Sequence, residues 1–247
     1  NPRDYFARLN AAIHQVLPSA NLPIFVEKIL SARERLRDEW PVAGTTGYEF
    51  LAQLDAILID PDGREQIEQS YRAFLGIRRP ELHFHEVAVR GKAFILRGSL
   101  SSDVQRLALL IAPIAHRDER TRALTRAQLA EGIVQLISQL PVYRTYLEAG
   151  APVIHEDDRS ALERAFRAAA DIALIRAPLL ALLESIFLDR TSELGDEQRA
   201  ERDAFVMRFQ QVSGPATAKG IEDTALYRYS PLLSLNEVGA DPAVELD

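Results

Sequence analysis

The sequence predicts a mainly α-helical fold with some parallel β structure. Near the N-terminus, an amphipathic helical pattern leads into an almost wholly apolar run. A helix followed by such a run is typical of half a parallel α/β unit, because strands buried on both faces lack polar alternation. A long central region then shows apolar residues at helical spacing. We therefore expect a small parallel sheet together with a large helical region.

The first segment, residues 1–60, is predicted to contain the β structure. Apolar side chains recur every four residues over 3–17, which predicts an amphipathic helix. The run 22–30, with β-branched and aromatic residues at its centre, predicts a short buried strand. A loop over 41–47 and a short helix over roughly 48–58 follow.

Residues 61–206 are predicted to be helical almost throughout. Pro113 and Pro178 are expected to end or kink their helices, because proline lacks an amide donor and clashes with the preceding turn. Several helix starts carry a capping box, in which a Ser or Thr and a Gln or Glu three residues later satisfy first-turn amides. These patterns begin at Ser102, Thr125 and Ser160.

Residues 207–247 differ in composition from the helical region. They include a weak strand candidate at 209–218, which a Gly-Pro pair interrupts. The residues after it are rich in glycine, charge and aromatic rings. This combination is more typical of a functional site than of a helix bundle.

Composition excludes several classes of protein. A net charge of −7, from 29 basic and 36 acidic residues, disfavours binding to nucleic acid. The absence of cysteine excludes disulfides, thiolate nucleophiles and zinc–thiolate sites. Apolar runs end well before the roughly 20 residues of a membrane span, and the N-terminus shows no signal segment. We therefore expect a cytoplasmic protein that contacts neither nucleic acid nor membrane.

Histidines give little support to a metal site. His83 and His85 would share one face of a strand, a spacing that a metal ion can use. No third ligand is evident beside them, and no phosphate-binding glycine loop or Ser-His-Asp arrangement can be identified. We therefore predict no metal and no cofactor.

A series of sequence blocks carries a resemblance to a known family. The blocks are VEKIL at 26–30, WPVAGTTGY at 40–48, PVYRTY at 141–146, GPATAKGIEDTALYRY at 214–229 and SLNEVG at 234–239. Together they resemble the maltooligosyltrehalose synthases of the α-amylase superfamily. They follow that family's order and extend over almost the whole chain.

The resemblance implies a partial (β/α)8 barrel interrupted by a large helical insertion. Residues 1–60 would form the barrel portion with the acid/base strand, 61–206 the insertion, and 207–247 the return to the barrel. The family's nucleophilic aspartate would precede this chain, and a third carboxylate would follow Asp247. The expected partner is therefore the remainder of the same barrel, and the chain alone is expected to be inactive.

The resemblance implies that Glu27 is the catalytic acid and base. Retaining glycoside chemistry needs two carboxyl groups about 5 Å apart, of which one keeps its proton at neutral pH. Glu27 lies in an apolar run that would disfavour its charged form. From spacing alone, a solvated glutamate at a strand edge, or one paired with Lys28, is the simpler interpretation.

Further residues are candidates for binding the sugar. Charged groups in the block 214–229 can bind hydroxyls, although ion pairs across one helical turn would explain them equally well. Aromatic rings can stack on sugars, although aromatic residues are more often part of a core. The candidates are Trp40, Tyr48, Tyr143, Arg144, Lys219, Glu222, Asp223, Tyr227, Arg228 and Tyr229.

The resemblance implies a maltooligosaccharide substrate and an isomerase reaction in trehalose biosynthesis. The reducing-end α-1,4-linked glucose would be transferred within the enzyme to give an α,α-1,1 linkage. Two alternatives stay open. One is an α-glucan hydrolase of the same superfamily, and the other is a non-catalytic helical module that binds glucan or protein.

Overall fold

The computed structural model describes residues 1–31, 34–76, 83–172, 175–190 and 194–242. The described chain is mainly helical with a small parallel sheet, as the sequence predicts. It divides into two compact units. The first unit comprises residues 1–80 and 230–247, and the second comprises residues 81–229.

The first unit contains the parallel strands and short helices. Strand β1 is hydrogen-bonded to β2 in parallel, with Phe25 opposite Gly44 and Val26 opposite Thr45. The predicted strand over 22–30 is therefore confirmed at its centre only, because β2 pairs with just two of its residues. The elements in chain order are helix α1 (Pro2–Val16), β1 (Phe25–Val26), β2 (Gly44–Thr45), α2 (Tyr48–Ile57), α3 (Pro61–Phe74) and a 3-10 turn (Leu233–Leu235).

The helices of the first unit leave their apolar faces uncovered. None of α1, α2 and α3 has a buried residue among those described. Large apolar side chains such as Phe50, Ile57 and Phe74 are 68%, 79% and 88% exposed. Burial of such side chains is the main force that stabilises helices in proteins. These helices therefore carry apolar surface suited to a further layer of structure.

The second unit is a helical assembly with a continuous apolar core. Aromatic rings lie at its centre, where Phe187 and Phe209 are 4.7 Å apart between centroids and Phe205 contacts both. Its helices are α4 (Phe84–Arg97), α5 (Ser101–Arg117), α6 (Arg126–Ser138), α7 (Glu156–Ala170), α8 (Ala177–Leu188) and α9 (Asp196–Thr217). A π-helical segment (Ala218–Ala225) continues α9 directly.

The capping patterns are confirmed at one of the predicted helix starts. Thr125 accepts from the Gln128 amide, and the Gln128 side chain accepts from the Thr125 amide, as a capping box requires. Ser102 instead lies inside the first turn of α5, and Ser160 lies inside α7. Helix α7 begins earlier because His155 accepts from the Asp157 amide.

The two prolines behave differently from each other. Pro178 lies in the first turn of α8, where its missing amide costs little. Pro113 lies inside α5, which continues to Arg117, so of the two expected effects a helix end is wrong there, and a kink stays a prediction. Proline lacks the amide that would donate to the carbonyl of Leu109, a residue that is 56% exposed.

The predicted strand at 209–218 is wrong, because α9 spans almost all of it. Phe205, Phe209, Val212 and Ala216 are all buried, and their spacing of three or four residues is that of one helix face. Burial of this face outweighs the Gly-Pro pair, and Pro215 lies within the helix. No strand occurs in the described part of 207–247.

The predicted strand with His83 and His85 is also wrong. His83 is the residue before α4, and His85 lies in the first turn of that helix. The described residues contain no group of three or more metal-ligating side chains. Among the helices described, none combines the length and apolarity needed to cross a membrane.

Candidate active site

Glu27 directly follows β1 at the carboxyl end of the parallel pair. Its Oε1 accepts a hydrogen bond from the Tyr48 hydroxyl at 3.0 Å. Val26 is buried, whereas Phe25 and Glu27 are exposed. Side chains alternate between the faces of a strand, so the residues on either side of Val26 point away from its core. Within the described chain, the apolar neighbours of Glu27 therefore do not bury its carboxyl group.

The neighbouring lysine has a different environment from Glu27. Lys28 is buried and forms an ion pair with Glu34. Glu34 also accepts from the Ser31 amide at 3.3 Å. This ion pair gives the buried ammonium group of Lys28 a carboxylate partner.

Tyr48 links two blocks of the sequence within the first unit. It opens α2 directly after Gly47, whose φ of +95° lies in the left-handed region that glycine favours. A Cβ atom on Gly239 would lie 2.9 Å from the Tyr48 Cβ atom, and Gly239 has a φ of +81°. The segment that ends at Gly239 therefore packs closely on the residue that contacts Glu27.

Trp40 lies in the core of the first unit. It is 6% exposed. Its ring lies 6.3 Å from that of Phe6, and the Arg37 guanidinium lies 5.9 Å from its centroid. This position explains Trp40 by packing, and its contact with substrate stays a prediction.

In the second unit, the segment 141–146 is joined to the π-helical segment. The Tyr143 hydroxyl donates to Glu222 Oε1 at 2.6 Å. Arg144 stacks on the Tyr146 ring, with its guanidinium 4.8 Å from the centroid. Two of the candidate binding residues, Tyr143 and Glu222, are therefore in direct contact.

Gln210 on α9 anchors the same segment, and sequence reasoning missed it. Its Oε1 accepts from the Thr145 hydroxyl at 3.0 Å and from the Leu147 amide at 2.6 Å. Its Nε2 donates to the Leu147 carbonyl at 3.1 Å. A glutamine next to Phe209 on the apolar face of an amphipathic pattern is the signal that could have identified it.

The charged residues of the π-helical segment form an exposed ion pair. Lys219 Nζ lies 2.7 Å from Asp223 Oδ2, and the two side chains are 60% and 59% exposed. The hydrogen bond that Lys219 donates to Asp223 raises the pKa of Lys219. This is the pairing across one helical turn that the sequence left open. Glu222 instead faces Tyr143.

The last three candidates lie in different environments. Tyr227 is 82% exposed, and Arg228 stacks on the ring of Phe94 at 5.6 Å. Tyr229 is 4% exposed and packs against Phe84, with ring centroids 5.6 Å apart. Tyr227 and Arg228 are therefore accessible to a ligand, whereas Tyr229 belongs to a small core.

Lys92 on α4 is a further buried group that sequence reasoning missed. Its Nζ donates to the Leu140 carbonyl at 2.7 Å, and its side chain lies in the interior of the second unit. Burial lowers the pKa of Lys92 to about 7. The sequence feature that could have identified it is its position one helical turn from both Ala88 and Leu96, which are also buried.

Comparison with known proteins shows one recurrent similarity. No model of a protein family matches the sequence. A curated relative, the putative maltooligosyl trehalose synthase of Mycobacterium tuberculosis, is 28% identical over 242 residues, which cover 98% of this chain and 27% of the relative. The solved maltooligosyltrehalose synthase from Arthrobacter ramosus is 34% identical, with a TM-score of 0.74 and coverage of 98% and 27%. A hypothetical maltooligosyl trehalose synthase from Sulfolobus tokodaii is 25% identical, with a TM-score of 0.63 and coverage of 98% and 26%.

The chain thus spans about a quarter of the length of these relatives. The similarity extends over almost all of this chain in sequence and in fold. It confirms the resemblance drawn from the sequence blocks, and the family that this chain resembles is that of the maltooligosyltrehalose synthases.

Proposed function

We propose that this chain is part of an enzyme that converts the reducing end of a maltooligosaccharide into an α,α-1,1-linked trehalose end. The observation that carries the proposal is the position of Glu27 directly after a parallel strand pair, beside Tyr48. In parallel α/β folds, catalytic groups lie at the carboxyl ends of strands. The names of the relatives supply the substrate class.

In the proposed reaction, Glu27 first acts as an acid. It donates its proton to the oxygen of the terminal α-1,4 bond while the glycosyl unit passes to an aspartate from the rest of the barrel. The released glucose stays bound and turns, and its anomeric hydroxyl attacks the glycosyl-enzyme. Glu27 then takes the proton back, as microscopic reversibility requires. One glycosidic bond breaks, one forms, and no water is consumed.

This reaction needs a closed barrel around Glu27. The described part of the first unit leaves Glu27 exposed, together with apolar side chains on α2 and α3 such as Phe50 and Phe74. The relatives are much longer than this chain, which spans 27% of their length. We therefore assign both tasks, covering these helices and burying the carboxyl group, to the remainder of the same barrel.

In the second unit, we assign sugar contacts to accessible polar groups and rings. Tyr143 and Glu222 form a half-buried hydroxyl–carboxylate pair that can exchange hydrogen bonds with sugar hydroxyls. The Lys219–Asp223 pair is exposed and can also form hydrogen bonds with sugar hydroxyls. The exposed Tyr227 ring can stack on a sugar, and neither contact displaces core residues. Buried residues such as Tyr229 would contribute by packing.

Product analysis of the full-length protein that carries this sequence tests the proposal. The protein is incubated with maltopentaose, and reducing ends are counted alongside trehalose ends. Isomerisation removes one reducing end for each trehalose end formed, which is the result expected. A rise in reducing ends would instead identify a hydrolase, and binding without turnover would identify a binding module; either result contradicts the proposal.

A further inference from the structure

We propose that Lys92 is a positioning residue. By holding the start of the segment after α6, it keeps the Tyr143 hydroxyl within hydrogen-bond distance of Glu222. Its Nζ donates to the Leu140 carbonyl, three residues before Tyr143. The proposal rests on the proposed function only in assigning a saccharide to the Tyr143–Glu222 pair.

The backbone of Lys92 lies directly against the π-helical segment. A Cβ atom on Gly220 would lie 2.5 Å from the Lys92 Cα atom, and one on Gly91 would lie 2.2 Å from the Gly220 carbonyl oxygen. Helix α4 and the π-helical segment therefore meet backbone to backbone at Gly91 and Gly220. The Cα of Lys92 is fixed relative to Glu222, which is two residues beyond Gly220.

The Lys92 side chain extends from this contact to the segment after α6. Leu140 is 2% exposed and precedes Pro141, which limits the conformations of its backbone. The amine thus ties the start of 141–146 to α4, while Tyr143 ties its middle to Glu222. Both contacts hold the segment after α6, one to α4 and the other to the π-helical segment.

An apolar side chain would fill the position of Lys92 at lower free-energy cost. Desolvation by burial is the cause of its lowered pKa, because an apolar environment disfavours the ammonium form. What the lysine adds over an apolar residue is a donor for the Leu140 carbonyl, which is buried and would otherwise lack this partner.

Two variants of the full-length protein test the role of the amine. Lys92→Met removes the donor and keeps an unbranched apolar side chain. Lys92→Gln keeps an N–H donor on a chain one atom shorter. For Lys92→Met we expect amide exchange over residues 139–147 to rise about tenfold, while exchange over 177–188 in α8 stays unchanged. Lys92→Gln is expected to restore at least part of the protection.

Kinetics with Tyr143→Phe separate positioning from general stability. We expect Lys92→Met to lower kcat/KM for maltopentaose about tenfold. The double variant Lys92→Met/Tyr143→Phe is expected to lower kcat/KM no more than the single variant with the larger effect, because both changes release the same segment. Unchanged exchange over 139–147 would overturn the proposal, and so would losses that simply multiply. If the protein forms no trehalose ends at all, the proposed function fails, and the exchange experiment still decides the role of Lys92.

Discussion

The Tyr143 hydroxyl and the Glu222 carboxylate form a 2.6 Å hydrogen bond across 79 residues of sequence. Tyr143 lies in the segment after α6, and Glu222 lies in the π-helical segment after α9. Both belong to blocks that resemble maltooligosyltrehalose synthases. The contact therefore joins, within one compact unit, two stretches that sequence reasoning could nominate only separately.

Tyr143→Phe removes this hydrogen bond and keeps the ring. We expect the free energy of unfolding to fall by about 1.5 kcal/mol, the lower end of the usual contribution of a hydrogen bond to a charged group, because the pair is only partly buried. Urea unfolding measures the change. Tyr227→Phe is the matched control, because its ring is 82% exposed, and it is expected to shift stability by less than about 0.5 kcal/mol. Equal effects of the two changes would argue against the contact.

Gly91→Ala tests the backbone contact between α4 and the π-helical segment. The added Cβ atom would lie 2.2 Å from the Gly220 carbonyl oxygen, so the two segments must separate. We expect a loss of about 2 kcal/mol or more in unfolding free energy. Gly214→Ala in α9 is the control, because a Cβ atom added there would meet no atom within 4 Å outside its chain neighbours and its own helix backbone. It is expected to change stability by less than about 1 kcal/mol, because the helix preference of alanine is opposed by steric contact with the ring of Pro215. A neutral Gly91→Ala variant would rule out so close an approach.

Lys92→Met is expected to change how stability depends on pH. The pKa of Lys92 is lowered from 10.5 to about 7 in the folded state, so between these values the unfolded chain binds one proton more. Wild-type stability should therefore rise relative to Lys92→Met by about 1.4 kcal/mol per pH unit between pH 7 and 10. Below pH 7 both states carry the proton, and the difference is expected to level off. Parallel stability curves for the two proteins would contradict the buried position of Lys92.

Asp203→Ala is expected to be among the most destabilising changes in the second unit. Asp203 accepts from Arg190 at 3.1 Å and from Arg202 at 3.3 Å, and these guanidinium side chains are 2% and 6% exposed. Removal of the carboxylate leaves buried positive charge, so we expect a loss of about 3 to 5 kcal/mol. Asp223→Ala breaks the exposed pair with Lys219 and should cost less than about 1 kcal/mol. Thermal unfolding compares the two, and similar losses would show that Asp203 is not buried as described.

Local patterns predicted much of the helical structure but little of the long-range packing. Helix α1, helix α2 and the Thr125 cap depend on spacing and on neighbouring residues, which the sequence displays directly. The predicted strand at 209–218 was wrong because Gly-Pro is a strong local signal for a break in a helix. The buried face of α9 outweighs that signal, and its burial depends on partners elsewhere in the chain.

The candidate site was predictable to a similar extent. Tyr143 and Glu222 could be nominated, but their contact requires the π-helical geometry, in which Gly220 lets α4 approach. Lys92 and Gln210 resembled ordinary polar residues in amphipathic helices. Only their burial, which packing determines, distinguishes them.

The central claim is that Glu27 transfers the proton to and from the sugar. The most direct measurement is the rate of trehalose-end formation by Glu27→Gln in the full-length protein, with Glu39→Gln, an exposed residue of the same unit, as the control. We predict a fall in kcat of about 10² to 10⁴ for Glu27→Gln, the usual contribution of a general acid and base, and a control within about twofold of wild type. A Glu27→Gln enzyme that forms trehalose ends at nearly the wild-type rate would contradict the account.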